Sequence, residues 1–215
     1  MPSPSPTTAS TVPASETKKP ADNVTATMPS AAVPWQRYVL FFSLATIGCG
    51  ADLWSKAAIF EWLGMPGQNR VYWFVEPYIG FQTSLNQGAL FGLGQGYTPV
   101  FAVFSIVAAA GILYWLFAMK AAHDLFLTVA LGLITGGIFG NLYDRLGIWG
   151  QAAVRDFILF QYNGYVWPNF NIADALLVCG AGLMLWHSFF NMPSHESQTV
   201  SSESPPATED TPKTS

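Results

Sequence analysis

Four acidic residues stand in or between strongly apolar stretches of the chain: Asp52, Asp144, Asp156 and Asp174. Lys56 and Arg145 are the bases in the same zone. A carboxylate in apolar surroundings is costly unless it is paired, protonated or open to a wet cavity. Asp52 and Lys56 are spaced i, i+4 and share one helix face, which reads first as an internal ion pair, with substrate contact as the alternative. Asn141 and Arg145 are also one turn apart, and the arginine offers a planar fork suited to a carbonyl, carboxylate or phosphate. Asp156 and Asp174 have no basic partner in sight except Arg155, which on a strand points to the face opposite its neighbour.

Two acids meeting at one level of a low-dielectric site cannot comfortably both be charged, so one keeps its proton while the other ionises. Such a pair titrates as a unit. The ionised member can take a proton from water and the protonated member can give one to a leaving amine. That is the chemistry of aspartic peptide hydrolysis. Two acids that merely bind water at a bilayer interface are the bland alternative.

The elements that must position these groups follow from composition and pattern. The chain has 215 residues, 51% hydrophobic and only 10% charged, with a mean hydropathy of +0.30. Soluble domains carry about 25% charged residues, so this composition belongs to an integral membrane protein. A net charge of −4, from 9 basic and 13 acidic residues, leaves no electrostatic footprint for nucleic acid. Two cysteines, Cys49 and Cys179, cannot build a disulfide framework; both fall in apolar stretches.

Four apolar stretches, near Tyr38–Phe60, Pro99–Met119, Leu125–Tyr143 and Ala173–Phe190, approach the ~20 residues that cross a bilayer as a helix. They lie in a unit spanning 35–192. The flanking segments 1–34 and 193–215 are rich in Ser, Thr, Pro and Ala and are expected to be disordered tails. An even number of crossings puts both termini on one side. Lys18, Lys19, Arg37, Lys120 and Lys213 fall on that side, against Arg70, Arg145 and Arg155 on the other. The bias makes the termini cytoplasmic.

The loops Glu61–Thr98 and Asp144–Ile172 then face outward, and Lys120–Asp124 is a tight helical hairpin. Arg70–Phe81 is aromatic and β-branched, a strand signal. Phe157–Tyr162 and Tyr165–Trp167 flank Asn163-Gly164, a hairpin turn signal. Pairing Tyr162 with Tyr165 and counting back sets Asp156 opposite Asn171, near Asp174. Pro168 must then sit on an edge or a bulge. Trp35, Trp62, Trp73, Trp149 and Trp167 read as interfacial anchors. Gly132, Gly136 and Gly140 form a strip that lets another helix approach closely.

Five blocks in order give the chain its resemblance. They are Asp52-Leu53-Trp54-Ser55-Lys56; Asn86-Gln87-Gly88-Ala89-Leu90-Phe91-Gly92; Gly136-Gly137 through Asn141 to Asp144-Arg145; Val154-Arg155-Asp156-Phe157-Ile158; and Phe170-Asn171-Ile172-Ala173-Asp174. Together they resemble lipoprotein signal peptidase, or signal peptidase II. The resemblance implies a bacterial inner-membrane aspartyl endopeptidase with four transmembrane helices and an outward-facing β-rich cradle. It further implies prolipoprotein substrates, cleavage just before the diacylglyceryl-modified cysteine, inhibition by globomycin, no cofactor or metal, and a monomer among membrane lipids. It places catalysis on Asp156 and Asp174. Asn86, Asn141, Arg145 and Asn171 match polar substrate-contacting or supporting positions, and Asp52, Lys56 and Asp144 match supporting charges. Leu90 departs from the small residue expected in its block, which bears on the pocket.

Other chemistries fit less well. His123, His187 and His195 lie toward the tail side, and the chain has no H-E-x-x-H zinc motif and no Gly-x-Ser-x-Gly elbow. Tyr143-Asp144 resembles the Tyr-Asp of presenilin-like peptidases, but Gly48-Cys49-Gly50-Ala51-Asp52 carries one residue too many for the partner block. A proton-coupled transporter would favour internal repeats, and none is visible. A scaffold without chemistry would tolerate Asn at both acid positions.

Overall fold

The computed structural model describes residues 32–68, 70–88 and 94–190. All of these lie in one compact unit. Helix α1 runs Trp35–Leu63, α2 Thr98–Leu113 with a wider π turn continuing it to Ala118, α3 Leu125–Arg145 and α4 Ile172–Phe190. Each is long and apolar enough to cross a membrane. The expected spans are thus present, with ends shifted by a few residues. Of the proposed tails only residues 32–34 are described; the rest of them, with His195 and Leu90, lies outside the described residues.

The buried residues of α1 are Phe41, Ala45, Gly48, Asp52, Lys56, Phe60 and Leu63, three or four apart along one stripe. Asp52 and Lys56 therefore turn inward, while Trp54 between them is 74% exposed, as suits a residue facing lipid. The stripe meets α3 through its glycines. A Cβ on Gly132 would come within 3.1 Å of Leu44 Cβ, one on Gly136 within 3.1 Å of the Ala45 carbonyl, and one on Gly140 would run into the Asp52 carboxylate. On the other side of α3, a Cβ on Gly137 would lie 2.5 Å from Ala173 O of α4. The expected close approach is present on both sides, and α3 is the central helix.

The end of the bundle away from the sheet is apolar. Phe41, Leu116, Ala122 and Leu131 form a buried cluster, and Phe117 from the π turn stacks on Tyr38 at 4.4 Å. The expected hairpin after α2 is a single 3₁₀ turn, Ala121–His123, entered through Lys120 at φ +60°. Asp124 caps α3 by accepting from Leu127 N. It also pairs with His187 Nε2 of α4, which fixes the two helix ends together.

Strands β1 Tyr72–Val75, β2 Ile79–Asn86, β3 Val154–Tyr162 and β4 Tyr165–Phe170 form one antiparallel sheet in that order. Tyr162 pairs with Tyr165 around Asn163-Gly164, whose φ values of +48° and +82° are those a tight hairpin turn demands. The register holds to Phe160↔Trp167 and then slips, so that Ile158 faces Phe170. Pro168 lies in that slip, on an edge strand, and the extra residue moves the backbone count at Asp156 by one. A second irregularity on the other side of β3 falls between Phe81 and Ser84 of β2. Bulges of this kind bend a strand and re-aim its side chains.

One of the expected anchors has a different place. Trp149 packs inward against Phe60, with ring centroids 6.2 Å apart. It also donates to Ala153 O and carries the Arg155 guanidinium 4.9 Å above its ring. Its indole is a platform for a buried cation rather than a headgroup anchor.

Candidate active site

At the sheet end of the bundle the polar residues of α1, α3, β3 and α4 meet. Asp52, Lys56, Asn141, Asp144, Asp156 and Asn171 are each 2% exposed or less. Asn171 begins α4 as its cap: its Oδ1 accepts from Asp174 N at 3.0 Å, while Asp174 Oδ2 accepts from Asn171 N at 3.2 Å. This reciprocal pair satisfies two otherwise orphaned helix-end donors and locks Asp174 in the first turn. Asn171 also donates through Nδ2 to Asp156 Oδ1 at 2.6 Å and to Asn141 Oδ1 at 3.1 Å. One asparagine thus holds both carboxyl groups of the pair singled out above.

Asn141 Nδ2 donates to Asp174 Oδ1 at 2.8 Å. Asn86, at the end of β2, hydrogen-bonds to Asp156. Asn86 is itself held by Gln95 Nε2 at 3.2 Å and by Gly88 N at 2.9 Å. Burial, and then the neighbouring charge of Asp174, push Asp156 up from the ordinary 3.8 to about 7. The hydrogen bonds from Asn171 and Asn86 and the charge of Lys56 oppose that rise without cancelling it. At neutral pH the Asp156 carboxyl is therefore poised between its two forms.

The supporting charges form a second layer. Lys56 Nζ lies 2.6 Å from Asp52 Oδ2 and 3.2 Å from Asp144 Oδ2. Asp52 Oδ1 also accepts from Ala173 N at 2.8 Å, tying α1 to the start of α4. Asp144 accepts from Arg155 three times: from its backbone N at 2.9 Å, its Nε at 3.1 Å and its Nη2 at 2.7 Å. Arg155 therefore turns away from Asp156, as strand alternation requires. The expected internal pair on α1 is present, enlarged to a network of four charged side chains, Asp52, Lys56, Asp144 and Arg155.

Arg145 takes a place at the rim. Its guanidinium lies over the Phe101 ring at 5.9 Å, with Nη2 3.5 Å from Gly88 O, and within electrostatic reach of Asp156 and Asp174. Beside Asp174 an apolar slot of about 420 Å³ runs along α4, lined by Phe160, Trp167, Phe170, Ala175, Val178 and Cys179. All nine residues singled out from the sequence thus gather at one end of the molecule. Arg155, Trp149 and Gln95 join them without having been foreseen. Arg155 carried a signal in its odd place on a strand; Gln95 carried none.

The fold and the site define a multi-pass membrane protein in which a buried carboxyl group, Asp156, and a half-buried one, Asp174, are held by the same asparagine beside an apolar slot. Residues 44–190 match the family described as signal peptidase (SPase) II. The lipoprotein signal peptidase of Rhodopirellula baltica is 56% identical over 168 residues, covering 74% of this chain and 75% of the relative. That of Aquifex aeolicus is 36% identical over 125 residues, 56% of this chain and 71% of the relative. Two solved structures described as bacterial membrane enzymes share the fold. One has a TM-score of 0.63 at 23% identity, covering 80% of this chain and 97% of the other. The second has a TM-score of 0.59 at 24% identity, covering 75% and 97%. The chain belongs to the signal peptidase II family and is a peptidase.

Proposed function

We propose that this chain is an aspartic endopeptidase that removes the signal peptide from diacylglyceryl-modified prolipoproteins, cutting just before the lipidated cysteine. The observation that carries the reading is the joining of Asp156 and Asp174 through one residue, Asn171, whose side-chain Nδ2 donates to Asp156 and whose backbone N–H donates to Asp174. The ionised aspartate takes a proton from water, and the water oxygen bonds to the scissile carbonyl carbon. The protonated partner stabilises the developing oxyanion and then passes its proton to the amide nitrogen as the carbon–nitrogen bond breaks. No metal enters these steps. Arg145 and Asn86 flank the pair and are placed to orient the substrate backbone.

The signal segment enters from the bilayer between the spans, and the slot beside Asp174 is wide enough to receive apolar substrate at the cut. The termini lie on the cytoplasmic face of a bacterial inner membrane, with the site at the outer face, and the chain acts as a monomer. The test is hydrolysis of a fluorescent lipidated peptide with an intact cleavage site by the detergent-solubilised protein, with and without globomycin. Cleavage that globomycin blocks and that Asp156→Asn and Asp174→Asn each remove supports the reading. Substantial cleavage by a well-folded Asp174→Asn protein overturns it.

A further inference from the structure

A run of groups starting on α1 ends at the proposed catalytic pair. Lys56 Nζ meets Asp52, Asp144 and, at 2.9 Å, Asn141 Oδ1. An ammonium has three hydrogens and no acceptor, so these partners saturate it and only the oxygen of the Asn141 carboxamide can face it. Asn171 Nδ2 reaches that same oxygen at 3.1 Å. With two donors on its oxygen, the Asn141 carboxamide has one orientation left, and its NH₂ points to Asp174 Oδ1. The other Asp174 oxygen receives the Asn171 backbone N–H. These neighbours therefore offer N–H donors to both Asp174 oxygens and an acceptor to neither.

We propose that Lys56 is a positioning residue: by holding the Asn141 carboxamide in one orientation it makes Asp174 the base that takes the proton of the attacking water, and Asp156 the acid. This assignment rests on the aspartic reading above and goes beyond it by ordering the two carboxyl groups from a residue 85 positions away from Asn141. The charged and titratable groups packed around the pair are Lys56 and Asp52 from α1, Asp144 and Arg145 from α3, and Arg155 from β3. Asn86 from β2 is uncharged. Asp144 has Arg155 as a second partner, so Asp52 and Lys56 can be neutralised together without stranding it.

The experiment is the pH profile of kcat/KM for the lipidated peptide. In the Asp52→Asn/Lys56→Met double variant the acid limb is expected to move up by about one pH unit, since hydrogen bonding and opposite charge shift carboxyl titrations by that order. Asn141→Leu is expected to move the same limb in the same direction, and adding it to the double variant is expected to move it no further. Lys56→Arg, which keeps a donor to Asn141, is expected to return the limb most of the way. An acid limb that stays in place, or shifts that simply add, overturns the proposal, because a purely structural lysine would lower the rate without moving the profile. If the double variant is not recovered folded, Asn141→Leu decides with the lysine and its acids intact, and an unmoved limb again overturns it. Activity surviving in the Asp156→Asn and Asp174→Asn proteins would instead defeat the underlying aspartic reading.

Discussion

Helices α2 and α3 are equally apt to cross a membrane, yet they do opposite work. With its π turn, α2 spans 21 residues, as does α3, and α2 is the more apolar of the two. Only 17% of its most apolar window is buried inside the protein, against 61% for α3. The polar residues explain the inversion. Asn141 and Asp144 on α3 must be shielded from lipid, and glycines let α1 and α4 close over them. The more hydrophobic helix is the one that faces the bilayer, and the less hydrophobic one holds the site. In lipid, apolar surface gives no reason to be inside; small and polar residues do.

That contrast can be broken at several points. The largest effect is expected at the pair that α3 supports: Asp156→Asn or Asp174→Asn should cut peptide hydrolysis by roughly 10²–10⁴-fold while the amount of protein in the membrane stays normal. The rate itself should fall as pH rises through about 7, where Asp156 gives up its proton; beyond that point it should drop about tenfold per pH unit, read from kcat/KM. An unchanged alkaline limb would show that Asp156 is not the acid.

Next in size, Asp144→Asn removes the charge opposite Arg155 and should lower stability by about 3–5 kcal/mol, measured by thermal unfolding in detergent. The sharpest form of the comparison is one added methyl on each helix. Gly140→Ala on α3 drives a Cβ into the Asp52 carboxylate and should cost about 1–3 kcal/mol together with activity. Gly111→Ala on α2 meets open space and should be neutral or stabilising by about 0.5–1 kcal/mol. Equal responses at the two glycines would erase the distinction.

The smallest effect is on stability against pH. Asp156 holds a proton in the folded protein that the unfolded chain has lost between 3.8 and about 7. The stability it lends is therefore complete below 3.8 and is lost as pH rises through about 7. Thermal unfolding temperatures should decline across that window in the parent protein and decline less in Asp156→Asn.

Much of this arrangement was legible in residue order because its signals are local. Span length follows from runs of apolar residues, the Tyr162–Tyr165 hairpin from Asn163-Gly164, and the Asp52–Lys56 pair from helical spacing. The glycine strip on α3 announced a close approach without naming its partners. Pro168 marked the slip on the β4 side of β3, but the irregularity on the β2 side left no such trace, since a slip in register depends on the neighbouring strand. Trp149 looked like an anchor because the same indole serves at an interface or under a buried arginine. Gln95 was invisible, a polar residue in a loop whose value lies in reaching Asn86 nine positions away.

The sequence alone determined that four helices cross a bilayer, that a hairpin joins the last two, and that a few acids must find shelter together, because hydrocarbon penalises every exposed charge and unpaired backbone group. Beyond the Asp52–Lys56 pair, only the tertiary structure decided which partner each acid would have. Lys56 reaches Asn141, Arg155 reaches Asp144 and Asn171 joins Asp156 to Asp174. Hydrogen bonds act over about 3 Å, and contacts that short across distant parts of the chain exist only once the helices have packed.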